Sequence, residues 1–321
     1  MVVILYIYII NFMKKKLAII TPVFNEESVI DLFYLRFIDI YKKINSFYDV
    51  HLVFINNGSK DNSIKILKKI FLNDLNVSVI SLSKNFGYQN ALFFALQKVK
   101  SDLYTFLDID CEDPPEMIIN FLDEHKNGYD LVYGERVDRA EFFILKKLRN
   151  LFYRIIKLIA DDSIHLYMAE FSLFSAEIRN AVIMQNNSFP FIRGGLASVG
   201  FESKAIKYKR QKRISGETHY NFFSMVIFAF AGILTSSTYL LRLPIFIFPF
   251  LIILFILNII YPNYLDLKIF ISIILILITF YLSIISLYVA RIYKNILNKP
   301  NAIITKKSTF IHKSRTKSFD I

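Results

Sequence analysis

The chain has one cysteine, Cys111, and no tryptophan in 321 residues, and two of its long segments carry no charge. A lone cysteine excludes an intramolecular disulfide and agrees, weakly, with a reducing compartment. The start, MVVILYIYIINFMKKK, is too short in its apolar part to cross a bilayer and has no small-residue cleavage site. Residues 1–13 therefore read as a signal-like or interfacial extension, or as an upstream mis-start with translation opening at Met13.

Acid is scarce as well. Lys and Arg number 39 against 27 Asp and Glu, a net charge of +12. Residues 203–213, SKAIKYKRQKR, hold six Lys/Arg and no acid, and residues 291–321 hold eight against Asp320 alone. Nucleic acid is not the partner this charge implies, because the second basic stretch adjoins an uncharged run.

The uncharged runs are LPIFIFPFLIILFILNII at 243–260 and IFISIILILITFYLSIISLYVA at 269–290. As a helix the second is roughly 33 Å long, enough for a hydrocarbon core of about 30 Å. Neither keeps the polar face of a soluble helix. A third run, 222–241, carries Ser224, Gly232, Thr235, Ser236, Ser237 and Thr238, and only Arg242 separates it from the next. Basic flanks on both sides of these runs belong on the cytoplasmic side, which demands an even number of crossings. The expected layout is a cytoplasmic catalytic domain over 14–215, an interfacial amphipathic region over 216–241, two transmembrane helices within 243–290, and a basic cytoplasmic tail over 291–321, solvated and touching lipid.

Before these runs the pattern alternates. Apolar stretches at 17–21, 50–55, 77–82, 103–108 and 130–133 read as strands, and 28–44, 62–73 and 88–99 as helices. Pro114 and Pro115 suit the first turn of a further helix. The fold class is α/β, a mainly parallel sheet flanked by helices, in which ligands gather beyond the carboxyl ends of the strands. Three polar loops fall there: Thr21–Glu27, Asn56–Asp61 and Asp108–Asp113. The last packs Asp108, Asp110, Glu112 and Asp113 into six positions, a crowd of like charge that calls for a cation.

These loops resemble, in order, those of the family-2 glycosyltransferases of the GT-A (Rossmann-like) fold. TPVFNEE at 21–27 is similar to the opening loop, INNGSKDNS at 55–63 to the DDGSxD loop, and DIDCEDPP at 108–115 to the extended DxD element. LSKNFGYQNAL at 82–92, FPFIRGG at 189–195 and RISGETHYN at 213–221 resemble the polyprenyl-phosphate branch, which includes dolichol-phosphate mannose synthase and bactoprenol glucosyltransferases.

The resemblance implies a membrane-bound inverting enzyme that moves one sugar from a UDP- or GDP-linked donor to polyprenyl (undecaprenyl) phosphate at the cytoplasmic face of the inner membrane. It assigns Asp108, Asp110 and Glu112 to Mg²⁺ or Mn²⁺ and the donor diphosphate. Pro22, Asn25, Glu27, Asn57, Lys84 and Asp108 would line the nucleotide pocket, with Glu27 near the base or ribose; on another reading, Glu26 and Glu27 only favour a helix N-terminus. Asp110, Glu170 and Arg213 would be the catalytic set, and Asp113 would cap the helix at Pro114. Partners are then the nucleotide sugar, the polyprenyl phosphate and membrane lipid; the oligomeric state stays open, a homo-oligomer included.

Departures accompany the match. Asn57 replaces an Asp, Lys84 an Arg, and in MAEFSLFS at 168–175 Glu170 replaces an Asp and Ser172 an Arg that would meet phosphate. Arg193, Arg213 or Lys84 would have to supply that cation. Two other functions compete: transfer to a hydroxyl of a lipid-linked or growing glycan with Glu170 as base, and a degenerate, non-catalytic membrane partner. The processive synthases' Q-x-x-R-W element is absent, as the lack of tryptophan requires.

Overall fold

The computed structural model describes residues 14–137, 167–185, 187–213, 237–261 and 266–320, with isolated positions between. The extension 1–13, most of the region 216–241, and Ser215, Thr218 and His219 lie outside the described residues. Two compact units form: one of residues 1–142, 165–220 and 300–321, the other of residues 143–164 and 221–299.

The first unit is built on seven strands: β1 (Lys15–Val23), β2 (Tyr48–Asn56), β3 (Val77–Ser81), β4 (Leu103–Phe106), β5 (Leu131–Val137), β6 (Met168–Ser175) and β7 (Ser203–Lys209). Their order is β3-β2-β1-β4-β6-β5-β7, all parallel neighbours except where antiparallel β6 is inserted. The fold class expected from the sequence is therefore present as a mixed, mostly parallel sheet. Strands β6 and β7 were not expected as strands. The lysines expected to flank the membrane stand on β7, an edge strand, where they also guard against further pairing.

Alternation along β2 sends Val50, Leu52 and Phe54 to one face, against α1 (Ile30–Ile44), α2 (Ser63–Asn73) and, further along the sheet, α4 (Met117–Lys126). Val53 and Ile55 point to the other, where α3 (Tyr88–Lys98), α5 (Ala176–Met184) and α6 (Ile192–Ser198) contribute. That second layer also contains Ala302, Ile304, Ile311 and Phe319 from the C-terminal segment. The tail is thus no solvated extension: Val79 and Phe310 exchange both backbone hydrogen bonds (2.9 and 2.7 Å), and Leu82 bridges Ile304. Apolar side chains spaced among the lysines make the difference, since burial against an open sheet face and edge outweighs solvation of the backbone.

The helix expected at Pro114 begins at Met117, and the two prolines sit in the turn before it. In the second unit, α7 (Tyr239–Ile260) takes in Arg242 and starts four residues before the expected run, while α8 (Leu267–Ile296) outlasts its run. Both are long and apolar enough to cross a membrane.

His51 lies in β2 beneath the tail, 5.4 Å from Phe319 ring to ring, with Nε2 3.0 Å from Ser78 Oγ. Burial, and then the nearby Arg315 charge, push its pKa down to about 3. The folded protein keeps this imidazole neutral while the unfolded chain takes up a proton below about 6.5. Its share of stability is whole above that value and falls by up to about 1.4 kcal/mol per pH unit towards pH 3. Thermal unfolding of the detergent-solubilised protein is expected to show that loss from pH 6.5 to 4.5, and His51→Gln to flatten it.

Candidate active site

Strand β1 ends at Val23, and the chain turns through Asn25, whose φ of 54° is the left-handed conformation that Asn tolerates better than most residues. Asn25 then ties two loops together: its N–H donates to Ser59 Oγ (3.1 Å) and its Oδ1 accepts from Lys60 N (2.9 Å). Glu27 does the same, accepting from Asn62 N and Nδ2 at 2.8 and 2.9 Å. Its carboxylate supports the start of α2 from across the loops. Pro22 is half-buried in β1.

Asn57 is buried with both ends of its amide engaged. Nδ2 donates to Asn85 Oδ1 (3.1 Å) and Oδ1 accepts from Phe86 N (3.0 Å), so the side chain joins the second loop to 82–87. Gly58, at φ +75°, is needed because a Cβ there would lie 2.4 Å from the Lys84 carbonyl carbon. Lys84 is exposed, its ammonium 5.2 Å from the Phe86 ring centroid.

The acidic loop has its cations, and they are arginines. Arg213 reaches Asp110 (2.9 Å) and Glu112 (3.4 Å), and Arg210 pairs with the other oxygen of Glu112. Asp113, expected as a helix cap, is buried against Arg136 (2.6 Å) and the Tyr208 hydroxyl. Tyr208 crosses to it over Gly134, where a Cβ would come within 2.6 Å of its ring. Asp108 accepts from the Tyr88 hydroxyl (2.7 Å). Burial first, then the charges of Asp110 and Asp113, push Asp108 up to about 7; burial also holds Asp110 above the usual carboxylate range, against the pull of Arg213.

The expected metal triad is accordingly not assembled. Among the described residues no three His, Cys, Asp or Glu side chains are gathered to hold a metal. Asp110 and Glu112 do converge on one positive group, the Arg213 guanidinium; Asp108 is turned to Tyr88.

Glu170, in β6 and past the end of its pairing with β4, pairs with Arg193 (2.8 Å) and accepts from Gln89 Nε2 (3.1 Å). Ser172, which stands where relatives carry an arginine, is fully buried and donates to the Glu170 carbonyl (3.0 Å). The guanidinium beside Glu170 thus comes from another element, the FPFIRGG segment. Arg136, Arg210, Tyr88, Gln89 and Tyr208 were not singled out from sequence. Arg210 was hidden in a basic run, and only the pairing of β7 with β5 carries it to the acids.

A model of the family described as Glycosyl transferase family 2 matches residues 18–183. The chain belongs to the family-2 glycosyltransferases. Its relatives include the uncharacterized glycosyltransferase YkcC of Bacillus subtilis, 34% identical over 68% of each chain. It is also similar to the prophage bactoprenol glucosyl transferase homolog of Escherichia coli, 32% identical over 71% of this chain and 74% of that one. The bactoprenol glucosyl transferase of Shigella phage SfV matches at 32% over the same shares, 71% and 74%. Among solved structures, S. aureus TarS in complex with UDP-GlcNAc is 18% identical, with a TM-score of 0.42, over 70% of this chain and 67% of that one. In this family-2 enzyme the matched residues run from β1 into α5 of the sheet unit.

In this glycosyltransferase, restoring the family's aspartate is expected to harm. Asn57→Asp would set a carboxylate oxygen against Asn85 Oδ1, which cannot turn away because it also accepts from Gly87 N (2.8 Å). A loss of about 1–3 kcal/mol follows from a buried acceptor without a donor. Thermal unfolding of Asn57→Asp beside wild type, at pH 7.5, measures it.

Proposed function

We propose that this enzyme moves one sugar from a UDP- or GDP-linked donor to an undecaprenyl-type polyprenyl phosphate, with inversion, at the cytoplasmic face of the inner membrane. The observation that carries this reading is that each carboxylate of the acidic loop and of β6 faces a cation or a donor. Asp110 and Glu112 face Arg213 and Arg210, Asp113 faces Arg136, and Glu170 faces Arg193. Asp108 keeps a raised pKa, but the Tyr88 hydroxyl already occupies it. Asp110 is also held up by burial, yet Arg213 occupies it, and a carboxylate whose oxygens are already bonded is poorly placed to take a proton from an acceptor. A hydroxyl acceptor needs a base; the oxygen of a lipid phosphate is already anionic and needs placing and charge screening instead.

The residues supply that placing. Arg193 and Arg213 stand at the strand ends as guanidiniums suited to phosphate oxygens. Asp110 and Glu112, which converge on one cation, are the pair that would hold Mg²⁺ or Mn²⁺, with diphosphate oxygens and water completing the shell; all-oxygen donors fit such hard ions. When bound, the ion offsets charge gathering on the departing nucleoside diphosphate. The polyprenyl phosphate oxygen attacks the anomeric carbon on the side opposite that diphosphate, in a single displacement.

Chain connectivity supports the membrane reading. Residues 165–220 and 300–321 belong to the same compact unit as the sheet, and α7 and α8 belong to the other. A chain that leaves a unit and rejoins it crosses a bilayer an even number of times. Two spans, α7 and α8, meet that condition.

Membranes containing the protein, given labelled nucleotide sugars and undecaprenyl phosphate, are expected to form an acid-labile labelled lipid. Asp110→Ala should reduce the product at least about 100-fold, the scale for losing stabilisation of a departing charge. Glu170→Gln should keep the rate within about tenfold; a loss at the upper end of the 10²–10⁴-fold range of general-base catalysis would move the acceptor to a hydroxyl.

A further inference from the structure

The tail does more than cover the sheet. Residues 305–309 wrap the end of β3: Thr305 N donates to the Ser81 carbonyl (2.8 Å), and Ser81 N donates to Thr309 Oγ1 (3.0 Å). The Ser81 hydroxyl donates to the Ser308 carbonyl at 2.6 Å and accepts from Asn56 Nδ2 at 3.1 Å. A hydroxyl has one proton. With that proton given to the tail, its lone pairs face Asn56 and fix which end of the amide turns inward. Asn56 Oδ1 is thereby aimed at Ser59 N (3.0 Å), closing the turn that presents residues 57–61. Ser59 Oγ in turn accepts from Asn25 N, at the strained φ of 54°.

We propose that the C-terminal segment is part of the donor pocket's scaffold, with Ser308, Ser81 and Asn56 acting as positioning residues for the 24–27 and 56–61 loops. The proposal rests on the reading of those loops as the nucleotide-sugar site. The relay begins in chain that follows the second spanning helix, so donor binding becomes dependent on a segment remote from the pocket in sequence. Other parts of the tail anchor it independently. Arg315 reaches Asp49 (2.7 Å) and Asn76 (2.6 Å), and Lys100 N donates to the Ser318 carbonyl (2.8 Å). Removing one hydroxyl in the middle therefore leaves the strap in place.

Ser81→Ala in the full-length protein, purified in detergent, isolates the relay. Hydrogen–deuterium exchange should rise about tenfold for amides in 24–28 and 56–61 and stay unchanged for 310–320. With UDP and GDP as probes, each with Mn²⁺, the affinity of whichever binds wild type should fall five- to tenfold. In the lipid-transfer assay KM for the donor should rise by the same factor, with kcat within twofold. Asn56→Asp, which keeps the acceptor for Ser59 but loses the donor to Ser81, should repeat the pattern. Unchanged exchange at 56–61 in both variants overturns the proposal, as does faster exchange with unaltered nucleotide affinity. Wild-type protein that binds neither nucleotide and labels no lipid overturns the function it rests on, while the exchange comparison still decides the relay itself.

Discussion

Repulsion among the carboxylates of the DIDCEDPP loop is the constraint around which the catalytic unit is arranged. Each acid in the loop is met from a different part of the chain: Asp108 by α3 through Tyr88, Asp113 by β5 through Arg136 and by β7 through Tyr208, and Asp110 and Glu112 by Arg210 and Arg213 just past β7. Burial works against the Arg136 charge, yet Asp113 and Tyr208 more than offset it and hold its pKa above the ordinary arginine value. Breaking one such pair would leave a buried charge uncompensated, which costs far more than an exposed ion pair gains. The insertion of β6, the order of β5 and β7, and Gly134 under the Tyr208 ring all serve to bring these cations to one edge.

A second network, free of formal charge at its centre, holds the neighbouring loops. Asn25, Asn56, Ser59 and Ser81 bond to one another and to backbone groups, Asn57 bonds to Asn85 and Phe86 N beside them, and the tail closes the set at Ser308. Amides and hydroxyls suit this work because each both gives and accepts, so one orientation propagates to the next. The neutral Asn57 fits the same logic. An aspartate would bring charge where the structure needs a donor.

Much of the fold was legible in the chain. Short apolar runs marked five of the seven strands within a few residues, and the polar loops after β1, β2 and β4 marked the edge where the site lies. Strands β6 and β7 were hidden because Glu170 and Ser172 break the apolar run of MAEFSLFS and SKAIKYK wears the lysines of an edge. The tail was misread for a related reason: its charge is visible in sequence, whereas the sheet face that accepts Phe310 and Phe319 is not.

The sequence alone determined what depends on local pattern: a mostly parallel α/β sheet, two uncharged runs of membrane length, and a crowd of acids after the fourth strand. Tertiary structure decided what each acid faces, since a carboxylate's partner is set by which distant strand folds beside it. It made Glu27 and Asn57 ties between loops, gathered Asp110 and Glu112 on one guanidinium with Asp108 turned to Tyr88, and brought the basic tail back to the sheet. The physical reason is the same in each case. Hydrogen bonds and ion pairs act over about 3 Å, and only folding brings residues remote in sequence within that reach.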